Sequence, residues 1–148
     1  MPNPIWNETL EIGIPSIDRQ HQQLVEQMTL LVDAMRENRA NEEIANIIQF
    51  LDRYISQHFS FEEHCMATYC CPIACQNQDA HRQFVQTFQQ IKTQFDREGS
   101  SLSLVLQVNQ SLLDWFINHI RKIDTQLARS MTCPVNYSQL PTKTNAPQ

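Results

Sequence analysis

The chain has 148 residues, 41% hydrophobic and 18% charged, which is enough for one domain with its own core. Its net charge of −5 comes with no basic run, and this argues against a nucleic-acid or anionic-membrane partner. Only two glycines, Gly13 and Gly99, are present, so neither a β-rich fold nor a glycine-rich phosphate loop is expected.

The first fifteen residues hold two prolines before a Gly-Ile-Pro turn and read as an extended arm. They carry no positive n-region or apolar h-region, and no apolar run is long enough for a bilayer, so a cytoplasmic protein is expected. Four amphipathic stretches follow. In the first, Ile17, His21, Leu24, Met28, Leu31 and Met35 step by three or four along one helix face, with Ser16 as the expected N-cap. The second opens at Asn41, read as a cap followed by two acids, and carries Ile44, Ile48, Leu51, Ile55, His58, Glu62, Met66 and Tyr69 before Pro72. The third carries His81, Phe84, Phe88, Ile91 and Phe95 and closes at Gly99. The fourth begins near Ser100 or Ser101 and runs Leu102, Val105, Leu106, Leu112, Phe116, His119, Ile123 and Leu127.

Four helices of about twenty to thirty residues with short connections predict an all-α, up-down-up-down antiparallel four-helix bundle over residues 1–130. Residues 131–148, with three prolines and few large apolar side chains, are expected to form a disordered tail. Cys65, Cys70, Cys71, Cys75 and Cys133 are odd in number and are expected as free thiols. The run CCPIAC lacks the CxxC halves of a zinc knuckle.

The chemistry lies in the polar members of the stripes. His58 and Glu62 are four apart, about 40° around a helix, and point the same way. His21 arrives from the first stretch, His81 from the third, and His119 with Asp124 from the fourth. Taken singly, each histidine reads as a hydrogen-bonded core residue, Glu62 as a helix-surface acid like its neighbour Glu63, and Asp124 as a solvated one. Together, four imidazoles and two carboxylates in an apolar interior need a compensating partner. A metal pair supplies one, and donors without a convergent cysteine suit iron, manganese or zinc. Asp124 is an obstacle: five residues from His119 is about 140° on a regular helix, so both reach one centre only through π-type widening, bending, or bridging from a different height. His64, two residues from Glu62, is expected to face away.

The segments carrying these residues resemble the hemerythrin family. The resemblance rests on Trp6, Ile12-Gly13-Ile14-Pro15-Ser16-Ile17-Asp18 with Gln20-His21, and His58-Phe59-Ser60-Phe61-Glu62-Glu63 with Met66, Tyr69 and Pro72. It continues through His81 with Phe84, and Asp114-Trp115 with Asn118-His119-Ile120 and Asp124, covering roughly residues 5–130. It implies two non-haem iron ions joined by an oxo or hydroxo bridge, with Glu62 and Asp124 as bridging carboxylates. His21 and His58 would ligate the iron with an open position, and His81 and His119 the other. The implied function is reversible binding of O2 or a similar small molecule, as carrier, store or sensor.

One position departs from the pattern. The family carries a further histidine four residues before the one matching His81, and Asn77 stands there. Asn77 is left with three readings: a weak ligand, the holder of a water, or a helix N-cap with Asp79 in the first turn. The altered site leaves two competing functions, a di-iron redox enzyme acting on peroxide or nitric oxide and a mono-metal or apo bundle. No acid–base residue beyond the ligands is evident, which argues against the enzyme. The sequence leaves the oligomeric state open.

Overall fold

The computed structural model describes residues 5–130. The expected tail and Cys133 lie outside these residues. Within them the chain is an all-α bundle of four long helices joined by short turns, preceded by an N-terminal arm. Helix α1 spans Pro15–Arg36, α2 Asn41–Thr68 and α3 Ala74–Glu98. The fourth helix, α4, runs over 102–130 and widens twice into π winding. It is α-helical at Leu102–Gln107, π-helical at Val108–Asp114, α-helical at Trp115–His119, π-helical at Ile120–Asp124 and α-helical again at Thr125–Ser130.

The stripes of α1 to α3 fold as their spacing predicts. Ile17, Leu24, Met28 and Leu31 of α1 meet Ile44, Ile48, Leu51 and Ile55 of α2 and Phe84, Phe88 and Ile91 of α3 in one continuous core. Burial of such side chains contributes on the order of 1.5–3 kcal/mol each. In α4 the expected stripe is partly out of phase at its start: Val105 is buried as expected, but Leu102 and Leu106 face solvent, and Leu104 and Val108 enter the core in their place. Stepping back from Phe116 at 3.6 residues per turn misses this, because the π segment at Val108–Asp114 resets the phase of everything before it.

The helix ends also differ from expectation. Ile14 occupies the N-cap position of α1, with Pro15 as the first helical residue and Ser16 inside the helix. Proline suits that place, since its missing N–H is one that no carbonyl would have met. The arm is held to this end by Asp18, whose carboxylate accepts from the backbone N–H of Ile12 at 2.7 Å and of Gly13 at 3.1 Å. Ala40 precedes α2 and Asn41 is its first residue. Ser101 does cap α4, accepting from the Leu104 N–H at 3.1 Å.

Helices α1 and α2 end alike. The Asn38 N–H reaches Met35 and the Arg39 N–H reaches Ala34; the Cys70 N–H reaches Ala67 and the Cys71 N–H reaches Met66. This is the paired bonding of a Schellman turn, which needs a left-handed residue one past the cap. Asn38 and Cys70 fill that place, at φ 51° and 52°. Asparagine tolerates this conformation, whereas a cysteine there carries about 1–2 kcal/mol of steric cost. Replacing Cys70 by glycine is therefore expected to stabilise the chain by about 1 kcal/mol. Denaturant midpoints of Cys70→Gly and Cys70→Val check it: the first should rise and the second fall.

Candidate metal centre

An antiparallel bundle brings the N-terminal parts of α1 and α3 to the same end as the C-terminal parts of α2 and α4. His21 lies two turns into α1, His58 and Glu62 lie near the end of α2, His81 lies two turns into α3, and His119 and Asp124 lie late in α4. Topology alone therefore carries all six to one level. All six are buried, as is Asn77.

The two carboxylates organise the cluster. Glu62 Oε2 lies 3.2 Å from His21 Nε2 and 3.4 Å from His58 Nε2, while Oε1 lies 3.2 Å from His81 Nε2 and 4.0 Å from His119 Nε2. Asp124 repeats the arrangement, with Oδ2 3.2 Å from His21 Nε2 and Oδ1 3.2 Å from His119 Nε2. Each acid turns one oxygen to the His21 side and the other to the His81 and His119 side. Two overlapping groups result, His21 with His58 and Glu62, and Glu62 with His81, His119 and Asp124, each close enough for its donors to hold one ion.

The second π segment answers the angular problem of Asp124. A π turn, closed by i→i+5 bonds, returns residues five apart to one face. The segment Ile120–Asp124 follows His119 directly, so His119 and Asp124 converge. The sequence allowed three ways to achieve this, and the backbone uses the first.

The polar atoms fit bound cations better than they fit one another. His119 Nε2 faces Asn77 Oδ1 at 2.9 Å, His81 Nε2 at 3.2 Å and Asp124 Oδ1 at 3.2 Å. A ring nitrogen carries one proton or one lone pair and cannot serve three neighbours. His58 Nε2, Glu62 Oε1, both Asp124 oxygens and Asn77 Nδ2 have no partner in hydrogen-bond geometry despite these short separations. Each such buried group costs on the order of 1–3 kcal/mol. Cations among the facing nitrogens and oxygens would answer them together, and imidazole with carboxylate suits iron, manganese or zinc.

A further layer orients the rings. His58 Nδ1–H donates to Gln20 Oε1 at 2.8 Å, which fixes the tautomer and leaves Nε2 free. Phe59 stacks on His81 with ring centres 3.7 Å apart, and Trp115 stacks on His119 at 4.7 Å. Phe116 stands edge-on to His21 at 5.4 Å and to His58 at 6.1 Å. Glu63, read from the sequence as a surface acid, is only a quarter exposed and approaches His81 Nδ1 at 3.8 Å. Burial pushes its carboxyl up. The sequence signal for Gln20 was its place beside His21; nothing but the fold reveals its contact with His58.

Asn77 is not an N-cap. It lies in the first turns of α3 with its N–H bonded to Ile73 O at 2.9 Å, and its side chain faces the cluster. His64 is exposed, as its angle predicts. Cys65, Cys70, Cys71 and Cys75 are free thiols, and none enters the cluster. Burial and the nearby Glu62 push the Cys65 thiol up to about 11, which keeps it protonated and inert.

Without a metal, burial works against charge on His21, but hydrogen bonding to Asp124 and Glu62 outweighs it and raises its pKa to about 9. Burial, helped by the neighbouring His21 charge, holds His58 below the usual imidazole range against the pull of Glu62 and Asp124. Glu62 opposes its own burial through contacts with His21, His58 and His81, and stays well below the usual carboxylate range. A histidine whose folded pKa is raised stabilises fully below its unfolded value of 6.5 and loses that contribution as pH rises through about 9. The chelator-treated chain is therefore expected to lose thermal stability between these pH values. Ring-proton NMR should show His21 titrating near pH 9 and His58 below 6.5.

Comparison with known proteins agrees with this geometry. The hemerythrin HHE cation binding domain matches residues 12–129. The bacteriohemerythrin of Pseudomonas paraeruginosa is 32% identical over 132 residues, 84% of this chain and 78% of that one. The bacteriohemerythrin of Stenotrophomonas maltophilia is 27% identical, covering 89% and 84%. The myohemerythrin of Theromyzon tessulatum is 23% identical over 125 residues, covering 84% and 91%. With the family's domain spanning most of the chain and the buried donors at one end of the bundle, this protein belongs to the hemerythrin family.

Proposed function

We propose that the chain is a non-haem di-iron protein that binds O2 reversibly, its bundle spanning residues 1–130. The observation that carries this reading is the pair of acids, Glu62 and Asp124, each presenting one oxygen to each half of the imidazole set. That is the placement two ions need in order to share both carboxylates. His21 and His58 would hold one ion and His81 and His119 the other. Iron held by these residues would supply the electrons for taking up O2 and giving it back.

The rest of the chain's work is orientation and exclusion. Gln20 holds the His58 ring through its Nδ1–H. Phe59, Trp115 and Phe116 lie against the four imidazoles, and Phe84 packs on Phe59 and Trp115 behind them. This aromatic sleeve keeps bulk water from the donors. Water and protons promote irreversible oxidation, so the sleeve favours carriage over turnover. Among the described residues no helix is long and apolar enough to cross a membrane.

Anaerobic loading of the metal-free chain with iron(II) is expected to give two irons per chain, with an absorption change on O2 exposure that reverses on degassing. One iron or none, or steady consumption of peroxide or nitric oxide in place of reversible binding, would overturn the reading. Glu62→Ala, which removes an oxygen from both halves, is expected to lose both ions. Asn77→His is expected to retain iron more tightly and to slow spontaneous oxidation, measured as the decay rate of the O2-bound spectrum.

A further inference from the structure

Asn77 is the one buried side chain of the cluster that has no place in a set of four imidazoles and two carboxylates. Its amide is fully buried, its Oδ1 lies 2.9 Å from His119 Nε2, and its Nδ2 has no partner. A helix-capping or packing role explains neither the burial nor the direction.

The separations around it have a pattern. Donors on one octahedral ion at about 2.1 Å lie about 3.0 Å from their neighbours and about 4.2 Å from the donor opposite. His119 Nε2 has Asn77 Oδ1, His81 Nε2 and Asp124 Oδ1 at 2.9, 3.2 and 3.2 Å, and Glu62 Oε1 at 4.0 Å. Glu62 Oε1 is in turn 3.2 Å from His81 Nε2. These are the distances of adjacent and opposite members of one donor shell, with the amide oxygen as its fifth member. Once His119 Nε2 gives its lone pair to an ion it has no proton for Asn77, so the 2.9 Å approach persists only if the ion lies between them.

Resting on the di-metal reading, we propose that Asn77 is a metal donor through Oδ1. The half-centre of His81 and His119 then has three oxygens and two nitrogens, and this shifts it toward manganese(II) relative to an all-imidazole alternative. The His21 and His58 half has two oxygens and two nitrogens and keeps the open coordination. An amide oxygen is a harder donor than imidazole and loses less with manganese(II) than with iron(II) or zinc. The two halves are thus unlike in closure and in metal preference.

The test uses the full chain, stripped of metal and loaded anaerobically with equal iron(II) and manganese(II). It is read by elemental analysis and by the manganese electron paramagnetic resonance signal. Wild type is expected to retain both ions, with a retained manganese-to-iron ratio about tenfold above that of Asn77→His. Asn77→Ala is expected to weaken one ion at least about tenfold and leave the other unchanged, while Asn77→Asp, which keeps an oxygen in place, retains both. The proposal is overturned if Asn77→Ala holds both ions as tightly as wild type, if Asn77→Asp loses one as Asn77→Ala does, or if Asn77→His leaves the ratio unchanged. If wild type binds no second ion of either kind, it is the di-metal reading that fails.

Discussion

Too many lone pairs meet in too little space at one end of this bundle. Glu62 and Asp124 put four carboxylate oxygens among four imidazoles, all sealed from water; His21 Nε2 and Glu62 Oε2 are aligned as a hydrogen bond, but several other atoms face one another at 3.2–3.4 Å without such alignment. Protonating His21 relieves part of this, since Glu62 and Asp124 then have a cation to face. It cannot relieve all of it, because one proton serves one lone pair. The apolar remainder of the bundle must hold this end together against its own electrostatics, and its continuous stripe of Leu, Ile, Met and Phe is the structural means.

The backbone bears the mark of the same requirement. Regular helices serve α1, α2 and α3, each of which gives one imidazole or an i,i+4 pair. Helix α4 must present His119 and Asp124 together, five residues apart, and it widens into a π turn to do so. A π turn is rare and less favourable than an α turn, and such turns concentrate where a side chain must be aimed. The earlier π segment, Val108–Asp114, re-phases the apolar face, so that Leu112, Leu113 and Phe116 stay inward while Leu102 and Leu106 turn to solvent.

The site is also graded by layer. Gln20 fixes one ring by a hydrogen bond, and Phe59 and Trp115 fix two others by stacking at interplanar angles of 6° and 10°. Rings held in this way keep their nitrogens aimed whether or not a charge is present. Asn77 enters from the same face of α3 as His81, one helical turn earlier, so its amide reaches the cluster with no distortion of the helix.

Much of the fold was legible in the chain itself. Stripes at three and four, two glycines and a closing Gly99 specify four amphipathic helices, because local periodicity decides which face each helix buries. The same periodicity marked His21, His58, Glu62, His81 and His119 as inward-facing. Helix ends were less legible: Ile14 and Ala40 stand where Ser16 and Asn41 looked better suited, because packing of the arm and the turn outweighs about 1 kcal/mol of capping. Only the tertiary structure decided how Asp124 reaches the others, that Asn77 is buried rather than capping, and which oxygen of each acid faces which imidazoles. Those depend on π winding and on the alignment of four helices, and no spacing along one helix contains that information.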